Sequence, residues 1–180
     1  MFTRQITNFL KIINRLFKNA LLGLVIILGG SMLTAVHAEM VKGQAPNFTL
    51  KSLRGENIKL SEHRGEVVML NFWATYCDTC KDAFPLLNDI YLKYRNEGFT
   101  LLSINTEKDM KKITDFMRGL AVAFPVLLDS THEVSEKYEV AALPSTYIID
   151  RDGQLRYVHN KFKPGNEDEY RKQVRELMEE

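Results

Sequence analysis

Both cysteines of this chain lie in one short stretch, residues 71–81, which reads NFWATYCDTCK. The apolar run VVMLNF at residues 67–72 leads into it and has the length and composition of a buried central strand. After it, residues 77–96 predict a helix, because apolar side chains recur on one face: Phe84, Leu87, Tyr91 and Tyr94. The two cysteines are therefore expected where a buried strand turns into the first long helix.

Outward from this stretch, short apolar runs alternate with helical segments. Residues 48–50 and 57–60 flank Arg54-Gly55-Glu56 and predict an N-terminal β-hairpin, preceded by an exposed lead-in at residues 39–46. Downstream, strands are expected at residues 100–104, 126–128, 146–149 and 155–158, and helices at residues 108–118, 133–138 and 166–178. This order predicts an α/β domain with a mixed central sheet, helices on both faces and an N-terminal β-hairpin extension.

The composition is that of one ordinary globular domain. Apolar residues make up 45% and charged residues 26% of the 180 residues, which argues against a disordered or collagen-like chain. Two cysteines are too few for a disulfide framework. The net charge of +1 gives no reason to expect a nucleic-acid partner.

The first 38 residues differ in charge from the rest. They hold four of the 24 basic residues and no acidic one, so residues 39–180 carry 20 basic against 23 acidic side chains, a net charge of −3. An uncharged apolar run at residues 20–36 follows the basic residues and ends near Ala38. This order predicts either a secretory signal peptide cleaved after Ala38 or a membrane anchor formed by residues 20–36. Under both interpretations residues 39–180, a single domain, are expected outside the cytoplasm, with membrane contact only through the N-terminal segment.

The spacing of the cysteines predicts thiol–disulfide chemistry. At a helix N-terminus the free backbone N–H groups and the helix dipole favour an anion, so the thiol of Cys77 is expected to have a lowered pKa. Cys80 lies three residues on and shares a helix face with Cys77. The pair can therefore attack a disulfide, pass through a mixed disulfide and resolve it internally.

Three other uses of the pair are less consistent with the sequence. A zinc site needs about four ligands, whereas there is no second cysteine pair, and His63, His132 and His159 have no ligand spacing. A static structural disulfide across so short a loop constrains little. A peroxidase pattern of the form Pro-x-x-x-Thr-x-x-Cys needs Pro and Thr where Leu70 and Ala74 stand.

Residues 71–80 resemble the active-site segment of the thioredoxin superfamily. The closer resemblance is to its extracytoplasmic branch, the thiol–disulfide oxidoreductases of the TlpA, ResA and cytochrome c maturation type. Residues 45–50, APNFTL, resemble the opening Ala-Pro-x-Phe motif of that branch. Residues 138–150, YEVAALPSTYIID, resemble its Tyr-x-Val-x-x-x-Pro-x-Thr-Phe-x-Ile-Asp segment, and Gly153 follows in the expected hairpin. The resemblance spans roughly residues 45–178.

The resemblance implies a thioredoxin-like fold and a set of site residues. Cys77 and Cys80 are the expected catalytic residues and form the redox-active disulfide. Pro144, which lies 64 residues after Cys80, is the expected cis-proline facing them, and the backbone of Leu143 is expected to meet an extended substrate segment. Two further residues are expected to form an apolar rim around the thiols, namely Trp73 and Tyr76.

The chain departs from the family pattern in its acidic residues. Thioredoxin has a buried acid where this chain has Asn71, an asparagine that the extracytoplasmic branch often shows. That branch usually has Glu where this chain has Ala83. Either the usual acidic residue is missing from this chain, or Asp78, between the cysteines, takes its place. Its charge raises the pKa of the Cys77 thiol, whereas Lys81 acts in the opposite direction.

These features predict a reductant of disulfides in partner proteins, with apocytochrome c as one candidate substrate. An upstream thiol redox partner, expected in the membrane, supplies the electrons, and no metal or other cofactor is expected. Three alternatives stay open. They are a disulfide-introducing oxidase, a copper-handling assembly factor that uses Cys77 and Cys80 as soft ligands, and a non-catalytic binding module.

Overall fold

The computed structural model describes residues 43–163 and 165–180. Eight strands form one sheet in the order β1-β8-β7-β4-β5-β6-β2-β3. The strands are β1 Gly43–Gln44, β2 Thr49–Ser52, β3 Asn57–Lys59, β4 Val67–Trp73, β5 Phe99–Asn105, β6 Val126–Leu128, β7 Ser145–Ile149 and β8 Gln154–Asn160. The α-helices are α1 Asp78–Tyr94, α2 Met110–Met117, α3 Glu133–Lys137 and α4 Glu167–Glu179.

The centre of the sheet is the parallel pair of β4 and β5. All seven residues of each strand are buried, and the pairing runs in register from Val67 opposite Phe99 to Trp73 opposite Asn105. Strands buried on both faces have continuous rather than alternating apolar sequences, which is why VVMLNF predicts this strand. β7 pairs antiparallel with the other side of β4, so the sheet is mixed, as predicted.

Helices cover both faces of the sheet, also as predicted. Successive side chains of a strand point to opposite faces, so Met69 and Leu70 belong to different halves of the core. The half that contains Met69 packs against α1, α2 and α4, whereas the half that contains Leu70 packs against α3 and residues 45–60. Cys80 lies in the half that contains Met69.

The N-terminal region confirms the predicted hairpin and corrects its surroundings. β2 pairs with β3, and the hairpin extends the sheet because β2 also pairs antiparallel with β6. Gly43 and Gln44 are exposed, as expected of the lead-in, but they also form a short strand against β8. A two-residue strand has too few residues to show a periodicity, and its partner lies more than a hundred positions away. Leu60 begins a 3₁₀ helix, Leu60–His63, instead of ending β3, because its side chain turns into the core.

The predicted signal peptide or anchor, residues 1–38, lies outside the described residues. Within the part of the chain that the structure describes, every helix is too short or too polar to span a bilayer.

A buried histidine joins β8 to α4. His159 Nε2 lies 2.7 Å from Gln173 Oε1, and the imidazole ring is 4.5 Å from the ring of Tyr170. Burial lowers the pKa of His159 below its ordinary value, although the hydrogen bond to Gln173 acts in the opposite direction. The folded chain therefore resists protonation at this position more than the unfolded chain does.

We expect the free energy of unfolding to fall as the pH is lowered from about 7 to about 5. The unfolded chain takes up a proton on His159 near its ordinary pKa of 6.5, whereas the folded chain does so only at lower pH. Urea denaturation across this range should show a shallower pH dependence for His159→Gln than for the wild type. Equal slopes for His159→Gln and the wild type would contradict the prediction.

Candidate active site

The two cysteines form a disulfide at the start of α1. Cys77 is the N-cap residue of the helix, Cys80 lies in its first turn, and their Cα atoms are 5.3 Å apart. A turn leads from β4 into the helix, in which the backbone N–H of Cys77 donates to the carbonyl of Ala74 at 3.2 Å. The local sequence therefore places both sulfurs at the N-terminal end of a helix that follows a central strand, as predicted.

The two sulfurs differ in exposure. The residue Cys80 is 1% exposed and belongs to the core cluster beneath α1. Cys77 is partly exposed. Of the two cysteines, Cys77 is therefore the more accessible to a sulfur of another protein.

A groove of about 690 Å³ opens beside Cys77. One wall is formed by the turn before α1, which holds Tyr76, and by Asp78 at the start of that helix; Tyr76 is 74% exposed. The opposite wall comes from α3 and the loop before β7, with His132, Ser135 and Leu143. An open groove with a sulfur on one wall suits an extended peptide segment better than a small molecule, because small molecules bind mostly in enclosed pockets.

The Leu143–Pro144 peptide bond, just before β7, is cis. Two hydrogen bonds hold this loop. The backbone N–H of Lys161 donates to the carbonyl of Pro144 at 2.8 Å, and the Ser145 hydroxyl donates to the carbonyl of Ala142 at 2.7 Å. Pro144 itself is buried, and Leu143 lines the groove together with Cys77.

The structure brings together most of the residues that the sequence singles out. Tyr76, Cys77, Asp78 and Leu143 all line the groove. Trp73 does not: it is fully buried, with its ring 5.0 Å from that of Phe84, and it lies in the core rather than at the expected rim. Trp73 is the last residue of β4, and its side chain points to the face that α1 covers.

The two positions that depart from the family pattern are both buried. Ala83 is 2% exposed and packs in the core on the inner face of α1. Asn71 lies in the middle of β4, and its Nδ2 donates to the hydroxyl of Thr146 on β7 at 3.1 Å. Neither residue lines the groove.

Two acidic residues that the sequence patterns do not single out hold the walls of the groove. Asp129 is fully buried, and its carboxylate accepts the backbone N–H groups of Val134 at 3.1 Å and Ser135 at 2.8 Å, which anchors the start of α3. Glu107 accepts from both the backbone and the hydroxyl of Thr75, in the turn before Cys77. The sequence could have indicated the role of Asp129, because it is an acidic residue shortly before a helix. Nothing in the local sequence indicates that Glu107 contacts Thr75.

Across residues 43–163 and 165–180, no three His, Cys, Asp or Glu side chains are grouped so that they could hold an ion.

The proteins that this chain is similar to include thiol–disulfide oxidoreductases, in agreement with the cysteine pair at this site. A sequence profile described as the AhpC/TSA family matches residues 41–158. The thiol–disulfide oxidoreductase ResA of Bacillus subtilis is 35% identical over 139 residues, which cover 75% of this chain and 78% of that protein. ResA of Geobacillus kaustophilus is 33% identical over 121 residues, which cover 67% of this chain and 70% of that protein.

Solved structures show the same fold. A crystal structure described as the thiol:disulfide interchange protein DsbE of Chlorobium tepidum has a TM-score of 0.74 and 30% sequence identity, and covers 78% of this chain and 99% of that chain. A solution structure described as a protein disulfide isomerase of Bacteroides thetaiotaomicron has a TM-score of 0.71 and 27% identity, and covers 79% of this chain and 95% of that chain. This chain therefore belongs to the AhpC/TSA family, has a thioredoxin-like fold and is a thiol–disulfide oxidoreductase.

Proposed function

We propose that this chain reduces disulfides of partner proteins outside the cytoplasm, with Cys77 and Cys80 as its catalytic dithiol. The observation that carries the proposal is the difference in exposure of the two sulfurs. Cys77 faces an open groove, whereas Cys80 is enclosed in the core within bonding distance of it. This arrangement supports attack by Cys77 and resolution by Cys80.

The reaction proceeds in two exchange steps. The thiolate of Cys77 attacks one sulfur of the substrate disulfide, that disulfide breaks, and the departing sulfur leaves as a thiolate that takes up a proton. Cys80 then loses its proton and attacks the Cys77 sulfur, which releases the second substrate thiolate. Two electrons have passed to the substrate, and the Cys77–Cys80 disulfide is formed. A dithiol partner must reduce this disulfide before the next cycle.

The proposed direction of electron flow is supported by charge beside the attacking sulfur. A couple whose reduced form is stabilised is a strong oxidant, so a charge that disfavours the thiolate makes the dithiol a better reductant. Asp78 follows Cys77 directly and lines the same groove. Its carboxylate opposes the effect of the α1 N-terminus, which favours a thiolate.

The groove supports a protein substrate rather than a small one. Tyr76 offers an exposed aromatic surface on one wall, and Leu143 offers an apolar side chain on the other. We propose that these two residues and Asp78 contact an extended segment of the substrate around its cysteine, and that Trp73 supports the site from the core without touching the substrate.

The place and partners of the reaction follow from the N-terminal segment and the family resemblance. A basic segment followed by an uncharged apolar run supports export to, or anchoring at, the outer face of the membrane. Resemblance to the cytochrome c maturation type supports apocytochrome c as a substrate, because its haem-attachment thiols must be free. A membrane-bound thiol partner is the matching electron source.

Substitution of each cysteine should separate the two roles. Cys77→Ser should abolish disulfide exchange, because the exposed sulfur is gone. Cys80→Ser should accumulate a mixed disulfide between Cys77 and the substrate, because the resolving sulfur is gone. Mass spectrometry of the products formed with an oxidised peptide measures both, with Thr79→Ser as the matched control that should turn over normally. Normal turnover by Cys80→Ser would show that the roles are wrongly assigned.

The reduction potential of the Cys77–Cys80 couple tests the direction of the reaction. We expect equilibration with glutathione buffers to give a value nearer to the roughly −270 mV of thioredoxin than to the roughly −120 mV of a strong oxidant. Asp78→Asn should make the potential less negative, because it removes a charge that disfavours the thiolate. A wild-type reduction potential near that of a strong oxidant would instead mean that the protein introduces disulfides into its substrates.

A further inference from the structure

We propose that Glu107 is a positioning residue: the negative charge of its partly buried carboxylate disfavours the Cys77 thiolate and so keeps the dithiol reducing. The inference rests on the proposed function for the direction of electron flow, but its measurement depends only on the thiol of this chain. The carboxylate acts on the sulfur of Cys77 by its charge, from its place against the turn that carries Cys77, and not through contact with a substrate.

Glu107 binds the turn with both of its carboxylate oxygens. Oε2 accepts the backbone N–H of Thr75, and Oε1 accepts the Thr75 hydroxyl at 2.9 Å. Thr75 lies inside the turn that the hydrogen bond from Cys77 to Ala74 closes. Two of the hydrogen-bond donors to the carboxylate are therefore on the short segment that delivers Cys77 to the groove.

The sheet determines where this carboxylate lies. Asn105, the last residue of β5, is fully buried and pairs in register with Trp73. Its side-chain oxygen accepts the backbone N–H of Glu107 at 2.8 Å, and its Nδ2 donates to Glu107 Oε2 at 3.4 Å. The backbone N–H of Thr106 also donates to the carbonyl of Trp73 at 3.1 Å. The ends of β4 and β5 thus hold the carboxylate against the turn.

The charge is close enough to act on the sulfur. Thr75 and Cys77 are two residues apart, so their Cα atoms lie within about 7 Å of each other. For an order-of-magnitude estimate, a carboxylate bound to Thr75 is taken to be roughly 9 Å from the Cys77 sulfur. At that separation Coulomb's law, with a dielectric constant between that of water and that of a protein surface, changes the thiolate population by about twofold to about twentyfold.

Other charges near Cys77 are more exposed. Asp78 and Lys81 lie on α1, Lys108 follows Glu107, and His132 lies across the groove at the start of α3; all four are exposed. Glu107 is only partly exposed, and its oxygens are occupied by Thr75 and Asn105. Salt screens exposed charges far more than partly buried ones. The contribution of Glu107 is therefore expected to persist at salt concentrations that suppress the contribution of Asp78.

The test is Glu107→Gln in the full chain, which removes the charge and keeps the size of the side chain. The reduced protein is alkylated with iodoacetamide over a range of pH, and the rate at Cys77 is followed by mass spectrometry. We expect the alkylation rate in the acidic part of the profile to rise by about twofold to about twentyfold, and the glutathione equilibrium to shift toward the dithiol. The increase should persist in about 1 M salt, whereas the increase caused by Asp78→Asn should largely disappear.

Two control variants separate charge from geometry. Thr75→Val removes the hydroxyl that binds Oε1 and keeps the carboxylate, and Glu107→Asp keeps the charge on a shorter side chain. Both should give alkylation rates closer to that of the wild type than to that of Glu107→Gln, because the charge is kept. A shift in Thr75→Val as large as that in Glu107→Gln would mean that loop geometry alone is responsible, which would overturn the proposal. An unchanged profile in Glu107→Gln would also overturn it.

Thermal unfolding and circular dichroism establish that each variant is folded. Glu107→Ser is a second neutral variant for the same alkylation measurement if the glutamine variant does not fold. The outcome is distinguishable from failure of the proposed function. A wild-type reduction potential near that of a strong oxidant would refute reductase activity while the alkylation shift in Glu107→Gln remained. A normal reductase with no such shift would refute only the role of Glu107.

Discussion

The parallel pairing of β4 with β5 is the constraint on which the rest of this molecule depends. It buries seven consecutive residues of each strand and brings Trp73 opposite Asn105 at the edge where both strands end. Beyond that edge, β4 continues into the turn that carries Cys77, and β5 continues toward Glu107. A shift of this register by one residue would move every side chain of the strand to the opposite face, and the active-site turn would lose its support.

The chemistry follows from where the helix begins relative to the core. α1 starts at the surface with Cys77 as its N-cap and reaches the core within one turn, where Cys80 is buried. A disulfide between a partly exposed and a buried sulfur has only one side from which a partner protein can attack. The proposed order of attack and resolution is therefore a consequence of the backbone path, and we propose that neighbouring charges adjust how readily the thiolate forms.

The groove beside Cys77 is built from segments far apart in the chain. The cysteine turn supplies one wall, and α3 with the loop before β7 supplies the other. Acidic side chains anchor both walls by accepting backbone N–H groups, Asp129 at the start of α3 and Glu107 at the turn. Short helices and turns have little stability of their own, so a carboxylate that accepts several backbone donors is an effective way to hold them.

The sequence by itself determined the elements and the reactive pair. Burial on two faces, helical periodicity and turn residues are local properties, so the central strands, the four helices and the start of α1 at the cysteines agree with the structure to within a few residues. The tertiary structure alone decided the pairing of Gly43 and Gln44 with β8 and the burial of Trp73. It also decided the placement of His132, Ser135 and Glu107 around Cys77. These features depend on contacts between segments tens of residues apart, and no local pattern encodes which distant segment a side chain will meet.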